Sequence, residues 1–111
     1  MITVQKLVAG SQLTASAATY YTAPANTKAI IKNMTLTNTT ANAVTATVHV
    51  ISAGATETTS NMIISARVIP PNDTYNCPEA IGKVMLATGT IRALAGSTVS
   101  ISLQADGIEI T

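Results

Sequence analysis

Charged and aromatic residues are scarce in this sequence. Of its 111 residues, 10% are charged and 3% are aromatic, and Trp and Phe are absent. Ordinary soluble domains carry about 25% charged residues, and a surface this poor in charge is weak at keeping copies of a chain apart. The composition therefore favours an aliphatic core and a surface covered in part by partners. The alternative is an exposed, Thr-rich β protein whose uncharged surface is still soluble.

Other absences exclude several structural and functional classes. A single cysteine, Cys77, excludes an internal disulfide. The six basic residues are scattered and the net charge is +1, so no nucleic-acid footprint is present. No apolar run reaches the roughly 18 residues of a membrane span. The N-terminal segment lacks the charged start and apolar core of a signal peptide, so we expect synthesis in the cytoplasm of the producing cell.

Residues able to perform chemistry are few and dispersed. The chain has five carboxylates, one histidine and one cysteine, and no metal, phosphate-binding or nucleophile motif. His49 has no acidic neighbour in sequence, so we interpret it as a surface or interface residue. Cys77 lacks an accompanying base, which favours a buried structural thiol. We therefore predict no catalytic, cofactor-binding or metal-ligating residues, and no enzyme.

The clearest pattern lies in the segment Lys28–Val50. Its second half alternates in the period-two manner of a half-buried strand. Val44, Ala46, Val48 and Val50 fall on one face, and Thr45, Thr47 and His49 fall on the other. The polar residues 38–42 predict the turn of a hairpin. Lys32 interrupts the apolar face of the first half, and a bulge near Lys32 and Asn33 would let Ala29 and Ile31 point inward.

The C-terminal segment Thr98–Thr111 shifts its alternation by one residue. Apolar side chains occupy odd positions up to Ala105 and even positions at Ile108 and Ile110. The shift predicts one long strand with a bulge at Asp106 and Gly107, where glycine would supply a left-handed conformation.

Turn signals about every ten residues divide the chain into about seven or eight short strands, without βαβ spacing. We predict an all-β fold, an antiparallel β-sandwich of jelly-roll-like type, as a single domain over residues 1–111. At most one short helical turn is expected, near Pro78–Leu86, where Pro78 and Glu79 suit a helix start. Residues 1–9 are expected to form an edge strand or an arm exchanged with a neighbour.

Four segments, taken in order, resemble small β-sandwich structural proteins of tailed bacteriophage virions. A turn and apolar strand ending in Asn-Thr is followed by a proline turn, a Leu-x-x-Gly-x-x-Ile-like segment and a terminal Gly-Ile-Glu-Ile strand. These segments are Tyr21–Thr40, Ile69–Tyr75, Lys83–Ala93 and Gly107–Ile110. The likeness departs at Gly89-Thr90, where that family often has Gly-Asp.

The resemblance implies a virion protein without chemistry, most simply a capsid decoration or cement protein. Its partners would be further copies of itself, as a trimer or other symmetric oligomer, and a major capsid or other virion protein. The residues expected at such contacts are Ile2, Val4, Tyr20, Tyr21, Thr45, Thr47 and His49. The alternative is a neck, tail or fibre component that binds a receptor or carbohydrate, with Tyr75 beside Asn72, Asp73 and Asn76 as the sugar-stacking group.

Overall fold

The computed structural model describes residues 1–111 as nine strands and one 3-10 helical turn. The all-β sandwich prediction is confirmed, with one strand more than the largest number expected. The strands are β1 Ile2–Gln12, β2 Ala18–Thr22, β3 Lys28–Asn38, β4 Val44–Ile51, β5 Met62–Ile69, β6 Thr74–Asn76, β7 Val84–Met85, β8 Thr90–Ala95 and β9 Ile101–Ile110.

Two antiparallel sheets form the sandwich. The first, sheet A, has the order β1-β9-β3-β6, with β7 also paired to β3; the second, sheet B, has the order β2-β8-β4-β5. The pairs β4 with β5, β3 with β6, β2 with β8 and β1 with β9 are nested along the chain. The chain therefore forms one long hairpin whose innermost pair is β4 and β5. Successive strand pairs of this hairpin belong alternately to sheet B and sheet A.

The predicted hairpin between β3 and β4 is wrong, because these strands lie in different sheets. Their apolar faces meet across the core instead of lying side by side. The link is held by Asn38, which is fully buried and donates to the backbone oxygens of Asn42 at 2.7 Å and Ile69 at 3.0 Å. Its carbonyl oxygen accepts from the Thr40 backbone at 2.9 Å. This buried amide turns the chain from sheet A to sheet B.

The core between the sheets is aliphatic, as the composition predicts. Sheet A contributes large side chains, among them Ile31, Leu36 and Leu103, all fully buried. The inner face of sheet B is rich in alanine, with Ala46 opposite Ala95 across the β4–β8 pair. Small residues on one sheet leave room for large residues on the other, which is how facing layers interdigitate.

The predicted helical turn is present but covers only Pro78–Ala80. The rest of the proposed helix is not helical: residues 81–82 form a turn, and Val84 and Met85 form β7. Gly82 has a positive φ of 86°, and its N–H donates to the Ile31 oxygen at 2.7 Å. These backbone bonds to β3 outweigh one weak turn of helix that contains a glycine.

The predicted bulge at Lys32 is confirmed. In the β3–β9 register Ile31 lies opposite Gly107 and Asn33 opposite Asp106, so Lys32 is the extra residue. Ala29, Ile31 and Met34 consequently all face the core. An odd spacing between Ile31 and Met34 would otherwise place one of them on the outer face.

The bulge expected within β9 is wrong. Asp106 and Gly107 pair consecutively with both neighbouring strands, and the extra residues lie in those neighbours, Leu7 in β1 and Lys32 in β3. Gly107 does not have a positive φ. It is needed for close approach, because a Cβ there would lie 2.1 Å from the Ile30 carbonyl oxygen. Ile108 and Ile110 therefore continue on the outer face of sheet A.

We expect Gly107→Ala to lower the free energy of unfolding by at least about 3 kcal/mol, because backbone has to move to admit the methyl group. Urea denaturation measures the change. Gly54→Ala is the matched control: its φ is 76° but nothing lies within 4 Å of the added Cβ, so it should cost about 1 kcal/mol of left-handed strain. A Gly107→Ala variant no less stable than Gly54→Ala would contradict the close-approach argument.

Candidate contact surface

The seven residues expected at contacts separate into exposed and buried groups. Ile2 and Val4 are 66% and 83% exposed on edge strand β1. Tyr20, Tyr21 and Thr45 are half-buried. Thr47 and His49 are only 8% and 4% exposed. The five residues with exposed surface stay predicted contacts, while Thr47 and His49 offer almost no surface to a partner.

Two neighbouring segments explain the burial: the loop between β4 and β5 lies beside His49, and strand β5 lies beside Thr47. This loop, residues 52–61, lies against the outer face of sheet B. His49 Nδ1 is 2.8 Å from Asn61 Oδ1, and Glu57 forms an ion pair with Arg92 of β8. The Thr47 hydroxyl accepts from the Ala66 backbone at 3.0 Å. Strand alternation placed these side chains on the outer face, and the simple composition of the loop gave no sign that it covers that face.

An apolar surface lies instead on the outer face of sheet A. The strand register places Val4, Ile108, Ile30 and Val84 in one row across β1, β9, β3 and β7. The adjoining row contains Ile2 and Ile110. We call these six residues the apolar stripe.

The apolar stripe is partly solvent-accessible. Ile2, Val4 and Val84 are more than half exposed, and the other three members are half-buried by their neighbours. Its members from β3, β7 and β9 were not among the predicted contacts. The sequence feature that could have indicated them is the shift of apolar residues from odd to even positions after Asp106. That shift is explained either by a bulge or by apolar side chains on the outer face.

Lysines flank the apolar stripe. Lys28 lies opposite Ile110 at one end. At the other, Lys6 lies opposite Asp106, with Nζ 3.1 Å from Oδ1, and Lys32 is exposed at the bulge. Beside Lys28, a cleft of about 500 Å³ opens between Leu86, Ile110 and Thr111. The surface is thus apolar at its centre and basic at its margin.

The tyrosines contribute to contacts between the two sheets. Tyr21 of β2 donates its hydroxyl to Glu109 of β9 at 2.5 Å, and Gln5 Nε2 donates to the other oxygen of the same carboxylate at 2.5 Å. Burial, followed by the hydrogen bond and the charge of Glu109, raises the pKa of Tyr21. The phenol is therefore held as a neutral donor that joins the sheets at one end.

A second polar group joins the sheets at the opposite edge. Tyr75 of β6 donates to Glu79 at 2.5 Å, and the Arg67 guanidinium of β5 lies 4.1 Å from the centre of its ring. The hydrogen bond with Glu79 raises the pKa of Tyr75 and lowers that of Glu79. One ring face and the hydroxyl of Tyr75 are thus occupied, so only the other ring face could stack on a sugar.

The positions of the one thiol and of the possible metal ligands bear on covalent and metal chemistry. Cys77 is buried as predicted, and burial raises its pKa to about 11, so the thiol is protonated at neutral pH. No group of three or more His, Cys, Asp or Glu side chains could hold a metal ion. The structure contains no helix with the length and apolarity that a membrane crossing requires.

Comparison with known proteins places the fold. No protein-family model and no curated protein matches the sequence. Among solved structures, a chain of the cyanophage Pam1 capsid asymmetric unit matches 97% of this chain and 83% of its own length, at 15% identity and a TM-score of 0.51.

A chain of infectious bursal disease virus, Gx strain, matches 98% of this chain at 12% identity and a TM-score of 0.53, and 32% of its own length. The VP2 subviral particle of that virus gives a similar match, with 14% identity and a TM-score of 0.51 over 31% of its length. This protein therefore spans about a third of the two bursal disease virus chains. The chain has a β fold shared with viral capsid proteins.

The link between Tyr21 and Glu109 predicts a pH dependence of stability. Because the folded state raises the pKa of Tyr21 above its ordinary value near 10, the unfolded chain releases this proton first. The stabilisation is complete below about pH 10 and is lost as the pH rises further. Tyr21→Phe should cost about 1 kcal/mol at pH 8, and the difference from the unsubstituted protein should shrink toward pH 11.

Urea denaturation at several pH values measures this difference. Tyr20→Phe is the matched control, because its hydroxyl contacts the backbone oxygen of Gln12 at 3.5 Å and not a carboxylate. A Tyr21→Phe difference that stays constant between pH 8 and pH 11 would show that the hydroxyl is not a neutral donor to Glu109.

Proposed function

We propose that this protein is a non-enzymatic structural protein of a virion, and most specifically a decoration or cement protein that stabilises a phage capsid through subunit contacts. The observation that carries the proposal is the match to the cyanophage capsid chain, which covers 97% of this chain and 83% of the other. A match of that extent suits a small separate shell component better than one domain of a large capsid protein.

The topology supports this role. The nested pairing of β1 with β9, β2 with β8, β3 with β6 and β4 with β5 is the order expected of a jelly roll. Jelly rolls are frequent in viral capsid domains. A fold is only an indirect guide to function, so the proposal also needs a surface suited to contacts.

The surface chemistry provides that second support. A cement protein performs no reaction and needs a rigid scaffold with area for close contact. The apolar stripe gives such an area, while the polar side chains of Tyr21, Glu109, Tyr75 and Glu79 are engaged within the chain. The alternative role, a receptor- or carbohydrate-binding tail or fibre component, depended on Tyr75, whose ring lies beneath Arg67.

Purified particles of the virus that encodes the chain test the proposal. We expect mass spectrometry to find the protein in a fixed ratio to the major shell protein, and electron microscopy to show it on the outside of the head. The same reconstruction distinguishes head from neck, tail and fibre. A protein that is abundant in infected cells but missing from purified particles would refute the virion role.

Self-association into a trimer or other symmetric oligomer is part of the proposal, and β1 is the element that we expect to mediate it. As an edge strand, β1 presents unpaired backbone groups on one side. Leu7 and Val8 belong to the core, so residues 1–5 are the part of this segment that can be removed without loss of buried side chains.

Deletion of residues 1–5 should leave the sandwich folded, since Ile2 to Lys6 are exposed, and should reduce the oligomer to a monomer. Deletion of residues 1–9 should instead cost more than about 3 kcal/mol by removing two buried side chains. Light scattering gives the mass and circular dichroism the fold. An unchanged oligomer after deletion of residues 1–5 would rule out β1 as the mediator.

A further inference from the structure

The apolar stripe has no partner within the chain. Sheet B covers the inner face of sheet A, and the loop of residues 52–61 lies against part of the outer face of sheet B, but the stripe lies on the opposite side of the molecule. Val4 and Val84 at its two ends are 83% and 53% exposed. Six contiguous aliphatic side chains suit the centre of a protein interface, where charged residues are depleted.

The margin of the stripe limits what can cover it. Lys6, Lys28 and Lys32 contribute three positive charges, and Asp106 contributes one negative charge that Lys6 already pairs with at 3.1 Å. A partner surface therefore has to be apolar at its centre and acidic at its margin, because electrostatic complementarity suppresses contacts between like charges.

A second copy of the chain does not meet this requirement. Two copies placed face to face about a two-fold axis would present the same lysines to each other. A head-to-tail contact would need several carboxylates around a second aliphatic surface. Three carboxylates already lie beside a cation: Glu57 with Arg92, Asp106 with Lys6, and Glu79 with Arg67, which lies over the Tyr75 ring. Glu109 is held by Tyr21 and Gln5, so Asp73 is the one exposed carboxylate without a cation beside it, and it cannot border such a surface alone.

We propose that the apolar stripe is the surface by which this protein binds a different protein, one whose contact area is aliphatic and bordered by carboxylates. The inference rests on the proposed virion role, in which that protein is a shell subunit. The cleft between Leu86 and Ile110 lies at the end of the stripe and receives an apolar side chain of the partner. Lys28, on the wall of the same cleft, meets one of its carboxylates.

Capsids of the encoding virus, assembled without this protein, are the binding probe, and cosedimentation measures the affinity. The triple variant Ile2→Thr, Val4→Thr, Val84→Thr removes apolar contact but retains β-branched side chains that suit strands. We expect it to bind at least about tenfold more weakly. The matched control is Val68→Thr with Val99→Thr, two valines that are each 60% exposed outside the stripe, and it should bind normally.

Charge is tested separately at Lys28. Lys28→Glu should weaken binding by about tenfold, and its binding should fall less steeply with salt than that of the unsubstituted protein. Lys28→Arg retains the charge and should bind within about twofold of the unsubstituted protein. A Lys28→Glu variant that binds as well as Lys28→Arg would overturn the acidic partner.

The remaining outcomes separate this inference from the proposed function. If the unsubstituted protein neither binds these capsids nor occurs in virions, the virion role fails and the inference fails with it. If it binds and the triple variant binds equally well, the role stands and the stripe is not the contact surface. If the triple variant loses binding only because an oligomer dissociates into monomers in solution, a second copy covers the stripe and the proposal of a different protein is wrong.

Discussion

The close contact of Gly107 with β3 is the constraint on which the architecture of sheet A depends. Strand β9 is the regular central strand, and both neighbours insert an extra residue next to Asp106: Leu7 in β1, between the partners of Asp106 and Ala105, and Lys32 in β3, between the partners of Gly107 and Asp106. A side chain at Gly107 would overlap the Ile30 carbonyl oxygen. The absence of that side chain lets both bulges approach the same point, and bulges at one point add local twist to a sheet.

These bulges decide which side chains reach the core. With Lys32 as the extra residue, Ile31 and Met34 both face inward despite an odd spacing, and the inner face stays aliphatic along its length. The outer face is affected in the opposite way. Beyond Asp106, the outer face of sheet A contains Val4, Ile30, Ile108 and Val84. The bulges that keep the inner face aliphatic therefore also leave aliphatic side chains exposed to solvent.

Polar side chains in this protein serve structure. Tyr21 with Glu109 and Tyr75 with Glu79 and Arg67 join the two sheets at opposite sides, and Asn38 holds the passage from one sheet to the other. Buried or bridging polar groups of this kind stabilise a fold when their hydrogen bonds are satisfied. These groups are therefore engaged within the chain, and on the outer face of sheet A the side chains available for contact are mainly aliphatic and basic.

The fold class, the aliphatic core and the bulge at Lys32 could be predicted from the sequence, because strand periodicity shows which face is buried. The sequence also indicated that Cys77 is buried and that the strand register shifts at Gly107. It left open whether a polar loop pairs neighbouring strands or carries the chain to another sheet, so the hairpin between β3 and β4 was wrong.

The segments that cover each outer face could be found only from the three-dimensional structure. The alternation of a strand shows which side chains face outward, but not whether another segment covers them: His49 is buried beside a loop, whereas Val4 stays 83% exposed. The physical reason is that burial there depends on contacts distant along the chain, such as Asn61 with His49 and Glu57 with Arg92. Periodicity within one strand carries no record of those contacts.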